Sequence, residues 1–206
     1  MPVPVLKVRT STYSLLPLYS EKRIHHMEVK SLKTLIIVAH PSIETSVINK
    51  RWVEELNKNP EKYTVHELYK VYPDGNIDVE KEQKLIESHN NLVLQFPLYW
   101  FNCPPLLKKW LDDVFTYNWA YGSGGDKLKD RKVALSVSAG IKKEDYSEAG
   151  RYQFTLEQIL VPFEVSFLYC EADYRSFYAF YGTENEKDSS EIEKSSHDYL
   201  SFIDNL

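Results

Sequence analysis

An aromatic turn carries the clearest chemical signal in this chain. Pro97 begins it, Tyr99, Trp100 and Phe101 follow, and an apolar run over 92–96 leads into it. In an open α/β sheet, ligands bind at the carboxyl ends of the strands, which is where such a turn lies. Aromatic side chains there suit a pocket in which the backbone lies along one edge of a flat ring. Taken alone, however, the same residues also fit a core or a contact between subunits.

A second group of polar residues follows the first apolar run. His40 ends that run, and Ser42, Thr45 and Ser46 precede a helix pattern. A phosphate placed there would meet free amides and the positive end of the helix dipole. The loop has neither the glycines of a dinucleotide fingerprint nor a Walker lysine, so it indicates a phosphate without indicating ATP. Taken alone, it fits an ordinary capped helix beneath a structural histidine better.

A third loop consists of small residues after the fourth predicted strand. Ser138, Ala139 and Gly140 would let backbone amides approach a ligand closely. An ordinary exit from a strand would look the same. The three loops meet at one edge of the predicted sheet, however, and that convergence is more specific than any of them.

The elements that position these loops alternate along the chain. Apolar runs of strand length alternate with helical spacing of apolar residues, and Pro104 and Pro105 suit the first turn of one helix. This order predicts an α/β fold, a doubly wound five-stranded parallel sheet with helices on both faces. The predicted strands are 35–39, 63–69, 92–96, 132–138 and 164–170, and the predicted helices are 48–56, 78–89, the segment after 104, 152–160 and 184–206.

Composition excludes several classes of protein. The 206 residues are 43% hydrophobic and 27% charged, as in a globular domain. The net charge of −5, without a basic stripe, argues against nucleic acid as the main partner. No apolar run approaches the ~20 residues of a membrane helix, so the protein is not expected to be membrane-embedded. Two cysteines provide no zinc spacing or disulfide framework, and no metal is predicted.

The chain divides into two parts by pattern. Residues 1–32 carry prolines and scattered basic residues without a period, and they lack the features of a secretory signal. We treat them as an N-terminal extension of unknown role. Residues 33–206 form the predicted domain, and its composition fits the reducing cytoplasm.

Taken together, the motifs are similar to those of a known family. They are Ala39-His40-Pro41, Tyr72-Pro73-Asp74, Gln95-x-Pro97-x-x-Trp100, Pro104-Pro105-Leu106-Leu107 with Trp110, and Trp119-Ala120-Tyr121-Gly122. They resemble the flavodoxin-like NAD(P)H:quinone oxidoreductase family. The resemblance is to the bacterial branch of general stress protein 14, modulator-of-drug-activity proteins and ancillary proteins of glutathione-gated potassium efflux. It covers about residues 33–175.

The resemblance implies a flavin-binding domain. FMN is the expected cofactor, with FAD less suited, and NAD(P)H is the electron donor. The family's cofactor-binding segments correspond to His40, Ser46, Val47, Ile48, Asn49, Pro97, Leu98, Tyr99, Trp100, Phe101, Ser138, Ala139, Gly140 and Ile141.

Two positions are implied as catalytic. Tyr146 falls on the family's active-site tyrosine, and Tyr152 falls near the active-site histidine of a more distant relative, DT-diaphorase. A tyrosine with its usual pKa of about 10 is a poorer acid at neutral pH than a histidine. The family's Thr-Thr-Gly-Gly also becomes Ser-Ala-Gly-Ile at 138–141, and the lost glycine is expected to narrow the pocket or alter its amides.

The implied activity is hydride transfer from NAD(P)H through flavin N5 to quinones or similar flat electrophiles, by a ping-pong two-electron mechanism. The family's members are typically homodimers with sites at the subunit interface. The alternative is a flavin-binding regulatory subunit that docks on a potassium-efflux channel.

Overall fold

Five parallel strands form the sheet. They are β1 (Thr34–Val38), β2 (Tyr63–Glu67), β3 (Asn91–Pro97), β4 (Lys132–Ala139) and β5 (Asp173–Tyr181), in the order β2-β1-β3-β4-β5. The computed structural model describes residues 33–185 and 187–206. All five residues of β1 are buried, as a central strand with helices on both faces requires. The predicted fold class is confirmed.

Six α-helices accompany the sheet within the described residues. They are α1 (Val47–Leu56), α2 (Leu68–Val71), α3 (Val79–Glu87), α4 (Pro105–Val114), α5 (Leu156–Tyr169) and α6 (Ser189–Asp204). The side chain of Ser46 caps α1 by accepting from the amide of Asn49, and that of Asp78 caps α3. Both caps follow from side-chain oxygens that satisfy amides with no partner inside the helix.

Alternate residues of the central strands enter two hydrophobic cores. Leu35 and Ile37 of β1 face the core beneath α3, α4 and α5, whereas Ile36 and Val38 face the core beneath α1 and α6. This alternation follows from the two-residue period of a strand. It fixes α1 and α6 on one face of the sheet, so the loop before α1 lies beside the ends of β3 and β4.

The predicted fifth strand at 164–170 is wrong. Those residues belong to α5, and β5 begins only at Asp173. The predicted start of that helix at 152 is also too early, because Thr155 and Gln158 form a capping box that fixes its first turn. Pro162 lies inside α5, although a proline normally ends or kinks a helix.

Smaller differences concern the ends of elements. β2 ends at Glu67, where the short α2 begins, and α6 begins at Ser189 rather than 184. The predicted extension at 1–32 lies outside the described residues. Among the described residues, no helix is both long enough and apolar enough to span a bilayer.

Candidate active site

A cleft of about 360 Å³ opens at the carboxyl edge of the sheet. The ends of β1, β3 and β4 and the turn after β5 all reach it. It lies where an open α/β sheet binds ligands. Its lining residues are His40, Thr45, Ser46, Val47, Ile48, Asn49, Pro97, Leu98, Tyr99, Ser138, Gly140, Thr183 and Glu184.

A larger groove of about 610 Å³ lies at the opposite edge of the sheet. Residues at the starts of strands line it, among them Thr34, Asn91 and Lys132. Size alone therefore does not locate the site. The carboxyl-edge cleft is the better candidate, because it gathers a helix N-terminus, a histidine and the aromatic turn.

The phosphate-binding features predicted from the sequence meet in the cleft. The amide of Ser42 donates to Nδ1 of His40 at 3.1 Å, so the neutral imidazole carries its proton on Nε2. Burial lowers the pKa of His40, which favours this neutral donor. The hydroxyl oxygen of Ser46 accepts from the amide of Asn49. The amides of Val47 and Ile48, which have no acceptor inside α1, are then available to an anion at the start of that helix.

The aromatic turn has an unusual backbone. Tyr99 and Asn102 exchange two backbone hydrogen bonds, with N–O distances of 2.8 and 3.0 Å. Between them, Trp100 and Phe101 have φ of 49° and 59°, the left-handed region. That region costs an L-residue about 1–2 kcal/mol. Backbone strain of this kind clusters at ligand sites, and its cause here is a tight turn that points two aromatic side chains outward.

Not every predicted cofactor residue lines the cleft. Trp100 stands at the tip of the turn with 95% of its surface exposed, and Phe101 packs against the ring of Tyr152. Ala139 is fully buried in β4, and Ile141 packs against the core beneath α5. The side chain expected to narrow the pocket thus lies outside its lining.

Sequence reasoning missed two lining residues. The chain after β5 continues to pair with the end of β4, because the amides of Thr183 and Glu184 donate to the carbonyls of Ala139 and Gly140. A Cβ on Gly140 would lie 2.6 Å from the carboxylate of Glu184. The sequence predicts that Glu184 begins a helix, and only the position of β5 places it at the cleft. A carboxylate there suits ligand hydroxyl groups, which it can accept from.

The two predicted catalytic tyrosines lie together beside the turn. The rings of Tyr146 and Tyr152 are 5.3 Å apart, and Phe101 lies 4.9 Å from Tyr152. Burial, with smaller contributions from neighbouring acidic groups, raises the pKa of Tyr146 to about 12. Its phenol therefore stays protonated at neutral pH and can donate a hydrogen bond, but it is a weak acid.

Neither the Cys103 thiol nor a metal site adds reactivity to this region among the described residues. Burial raises the pKa of the Cys103 thiol to about 11, so it stays protonated and unreactive near neutral pH. Within the described ranges, no group of three or more His, Cys, Asp or Glu side chains could hold a metal ion.

The cleft therefore combines features for a phosphate, for hydroxyl groups and for a flat ring. It offers amides and a neutral histidine for a phosphate, a carboxylate for hydroxyl groups, and small residues at Ser138 and Gly140 for a close approach to a ring. Aromatic side chains stand at its rim.

The comparisons with known proteins identify the family of the chain. The model of the flavodoxin-like fold family matches residues 32–203, and the chain belongs to this family. The resemblance inferred from the motifs is thereby confirmed.

Three relatives are close enough to guide the interpretation. The chain is 45% identical to the uncharacterised NAD(P)H oxidoreductase YrkL of Bacillus subtilis over 78% of its own length and 94% of that protein. It is 37% identical to the glutathione-regulated potassium-efflux system ancillary protein KefG of Cronobacter sakazakii, over 70% and 78%. The crystal structure of general stress protein 14 from Treponema denticola in complex with FMN is 50% identical, with a TM-score of 0.80, and covers 84% of this chain and 98% of its own.

Proposed function

We propose that the protein is an FMN-dependent NAD(P)H oxidoreductase that reduces quinones or similar flat electrophiles. The cleft at the carboxyl edge carries this proposal, because its phosphate-binding and small-residue features match the two ends of FMN. The FMN complex of the Treponema protein and the oxidoreductase YrkL support it. Bound FMN would supply hydride chemistry at N5, accepting from NAD(P)H and passing two electrons to the acceptor in a ping-pong sequence.

In this proposal, the loop before α1 binds the phosphate. The Nε2–H of His40 and the amides of Val47 and Ile48 donate to its oxygens. The hydroxyl of Thr45 is directed elsewhere, because it donates to the carbonyl of Ser42 at 2.9 Å. The phosphate is thus bound by neutral donors and the helix dipole, which suits a loop without lysine or arginine in its lining.

The residues after β4 would lie beside the ring. Backbone amides of Gly140 and Ile141, which follow β4, are the proposed donors to charge that develops there on reduction, as in an oxyanion hole. The turn at 97–101 lies opposite them, since Leu98 is tied to the carbonyl of Ser138 by a 2.8 Å hydrogen bond. Its backbone supplies the edge that borders a flat ring.

A slot for the acceptor lies over the turn. Trp100, Phe101, Tyr146 and Tyr152 supply flat apolar faces, which favour a planar acceptor without selecting one by hydrogen bonds. Tyr146 acts as a hydrogen-bond donor to such an acceptor. Protons consumed in the reduction come from solvent, because the phenol is too weak an acid to supply them quickly.

The NAD(P)H donor is a polyanion, and Arg151 is a cation near the slot. The guanidinium of Arg151 lies 5.7 Å from the centre of the Tyr152 ring and makes no ion pair within the described part of the chain. Arginine binds phosphate through paired N–H donors, so Arg151 is suited to a phosphate of the donor.

We also propose a homodimer. Val161, Val165 and Leu168 form an exposed apolar stripe along α5, on the side away from the core. An exposed stripe of this kind marks an interaction surface. A second copy of the chain is the proposed partner, and the exposed Trp100 would then be covered near the interface. The cytoplasm is the proposed location.

The similarity to KefG supports a second candidate function, that of a regulatory subunit. Its name assigns it to a glutathione-regulated potassium-efflux system, and the shared identity extends over 70% of this chain. A flavin-binding regulatory subunit docked on an efflux channel is compatible with the same cleft. Binding to such a channel without turnover above free flavin would favour this function over the enzyme.

The first experiment is to purify the protein, record its visible spectrum and identify any flavin released by heat. FMN that is bleached by NAD(P)H before denaturation is the expected result. A colourless protein that also fails to take up added FMN would overturn the proposal. Steady-state turnover with a series of quinones, corrected for free FMN, then tests the acceptor class.

A further inference from the structure

A line of four buried polar side chains connects α6 to the cleft. The hydroxyl of Tyr199 donates to Oε1 of Gln95 at 3.0 Å, and Nε2 of Gln95 donates to the backbone carbonyl of Asn49 at 3.2 Å. Nδ2 of Asn49 then donates to the Ser138 hydroxyl oxygen at 2.7 Å. All four residues are at most 5% exposed. Only the last two, Asn49 and Ser138, line the cleft.

The backbone carbonyl of Asn49 fixes which atoms donate and which accept along this line of hydrogen bonds. The backbone carbonyl of Asn49 can only accept, so Gln95 must turn its amide nitrogen toward it and its oxygen toward Tyr199. Oδ1 of Asn49 also lies on the side of the Gln95 nitrogen, at 3.4 Å. The nitrogen of Asn49 is therefore the atom that faces Ser138.

The hydroxyl proton of Ser138, at the end of this line, is available for a further hydrogen bond. The Ser138 oxygen accepts from Asn49, and among the described residues it makes no hydrogen bond in which its own O–H donates. Since Ser138 lines the cleft, the acceptor it lacks is one that a ligand can supply. A hydroxyl whose oxygen is already engaged by a fixed donor has fewer orientations to lose on binding.

We propose that Tyr199 and Gln95 are positioning residues that hold the Ser138 hydroxyl as a hydrogen-bond donor to the bound flavin. This inference rests on the proposed function, since FMN is the ligand that receives the bond. It assigns a role at the cofactor site to the last helix, whose Tyr199 contributes nothing to the cleft wall.

A matched control lies in the same aromatic cluster. Tyr178 stacks on Tyr199 with ring centres 5.6 Å apart, and its hydroxyl donates to the backbone carbonyl of Ser195 in α6 at 2.9 Å. Tyr178→Phe therefore removes a part-buried tyrosine hydroxyl and its hydrogen bond beside α6, in the same aromatic cluster as Tyr199→Phe. It leaves the line to Ser138 intact.

The test is the Kd of FMN, measured by quenching of flavin fluorescence as apoprotein is added. Tyr199→Phe and Ser138→Ala should each raise the Kd about three- to tenfold, the usual effect of one hydrogen bond. Tyr178→Phe should change it less than twofold. In Ser138→Ala, adding Tyr199→Phe should have no further effect, because the bond it positions is already lost. Gln95→Met is a second variant should Tyr199→Phe fail to fold.

The outcomes separate this inference from the proposed function. Equal weakening by Tyr199→Phe and Tyr178→Phe, or an additive double variant, would mean that the network only stabilises the fold, and would overturn the inference alone. Unchanged affinity in Tyr199→Phe and Gln95→Met would also overturn it. Wild-type protein that takes up no FMN would overturn both.

Discussion

The indole nitrogen of Trp110 donates to the carboxylate of Glu82 at 2.8 Å, and both residues are fully buried. The same carboxylate accepts from the hydroxyl of Tyr72 at 2.6 Å, and Nε2 of His66 lies 2.9 Å from it. These contacts join β2, the loop before α3, and α4. Tyr72 and Trp110 belong to the motifs that identified the family, so part of that signature stabilises the fold and does not bind the cofactor.

Removing the Glu82 carboxylate should destabilise the protein. Glu82→Ala is expected to cost about 3–5 kcal/mol, because it leaves buried donors unpaired. Glu82→Gln keeps an acceptor and should cost about 1–3 kcal/mol. Urea unfolding followed by circular dichroism measures both. Glu80→Gln, on the exposed side of α3, is the control and should stay within about 0.5 kcal/mol of wild type.

The Glu82 contribution should also depend on pH. Burial alone would raise the pKa of this carboxyl, but its contacts with His66, Tyr72 and Trp110 outweigh burial and hold the pKa below its usual range. The stabilisation is therefore complete above the unfolded-state value of about 4.3 and is lost as pH falls through the lower folded value. The difference between wild type and Glu82→Gln should shrink between pH 5 and pH 3. A constant difference would contradict this assignment.

His40 should discriminate between flavins that differ only by the phosphate. If its Nε2–H donates to the phosphate, as proposed, His40→Ala should weaken FMN binding about tenfold, the effect of one hydrogen bond to a charged group. Riboflavin, which has no phosphate, should bind both proteins equally well. Fluorescence titration with the two flavins gives the comparison. Equal losses for both would indicate that the loop itself had been disturbed.

Replacing Trp100 in the aromatic turn should stabilise the protein and lower its activity. Trp100 has φ of 49° and an almost fully exposed side chain, so it gives up few contacts when replaced. Asparagine tolerates the left-handed region, and Trp100→Asn should raise the free energy of unfolding by up to about 1 kcal/mol. Turnover with quinones should fall, since the slot loses a wall. A destabilised Trp100→Asn protein would mean that the backbone is not strained.

The sequence predicted the sheet and the position of the cleft because buried parallel strands and helix caps are local patterns. The prediction of a strand at 164–170 was wrong for a physical reason. Leu160, Phe163 and Phe167 face the core while Val165 and Leu168 face outward, so α5 is apolar on two sides and lacks the period of a surface helix. Periodicity cannot distinguish such a segment from a buried strand.

Contacts between distant parts of the chain could not be predicted from the sequence. Glu184 reaches the cleft only because β5 lies beside β4, and Tyr199 reaches Gln95 only because α6 packs across the sheet. Neither residue sits in a motif or at a recognisable spacing. The left-handed pair at Trp100 and Phe101 was equally hidden, since neither residue type favours that conformation.

Tyr146 should contribute as a hydrogen-bond donor and not as an acid. Tyr146→Phe should lower kcat/KM about three- to tenfold, whereas loss of a general acid costs about a hundredfold or more. With a pKa of about 12, the phenol should produce no step in the pH–rate profile of wild type below pH 10. Steady-state kinetics from pH 6 to 10 give both results. A hundredfold loss together with a step near pH 8 would restore Tyr146 as the acid.

The stripe on α5 should hold the two subunits together. Val165 is 55% exposed although it is apolar, and burying it against a second copy would remove that surface from water. Val165→Glu would place a charge in the interface without disturbing the core, because the side chain points away from it. Light scattering after size exclusion should give a dimer for wild type and a monomer for Val165→Glu.

Val71 provides the control for this prediction, since it is also an exposed apolar residue but lies on α2, away from the stripe. Val71→Glu should remain dimeric, which separates a local effect of the interface from a general effect of added charge. If the partner subunit walls the acceptor slot, Val165→Glu should also lose quinone turnover while it retains FMN, because the residues proposed to bind the phosphate and ring belong to one chain. Wild-type protein that is monomeric at micromolar concentration would refute the dimer and leave the cofactor site intact.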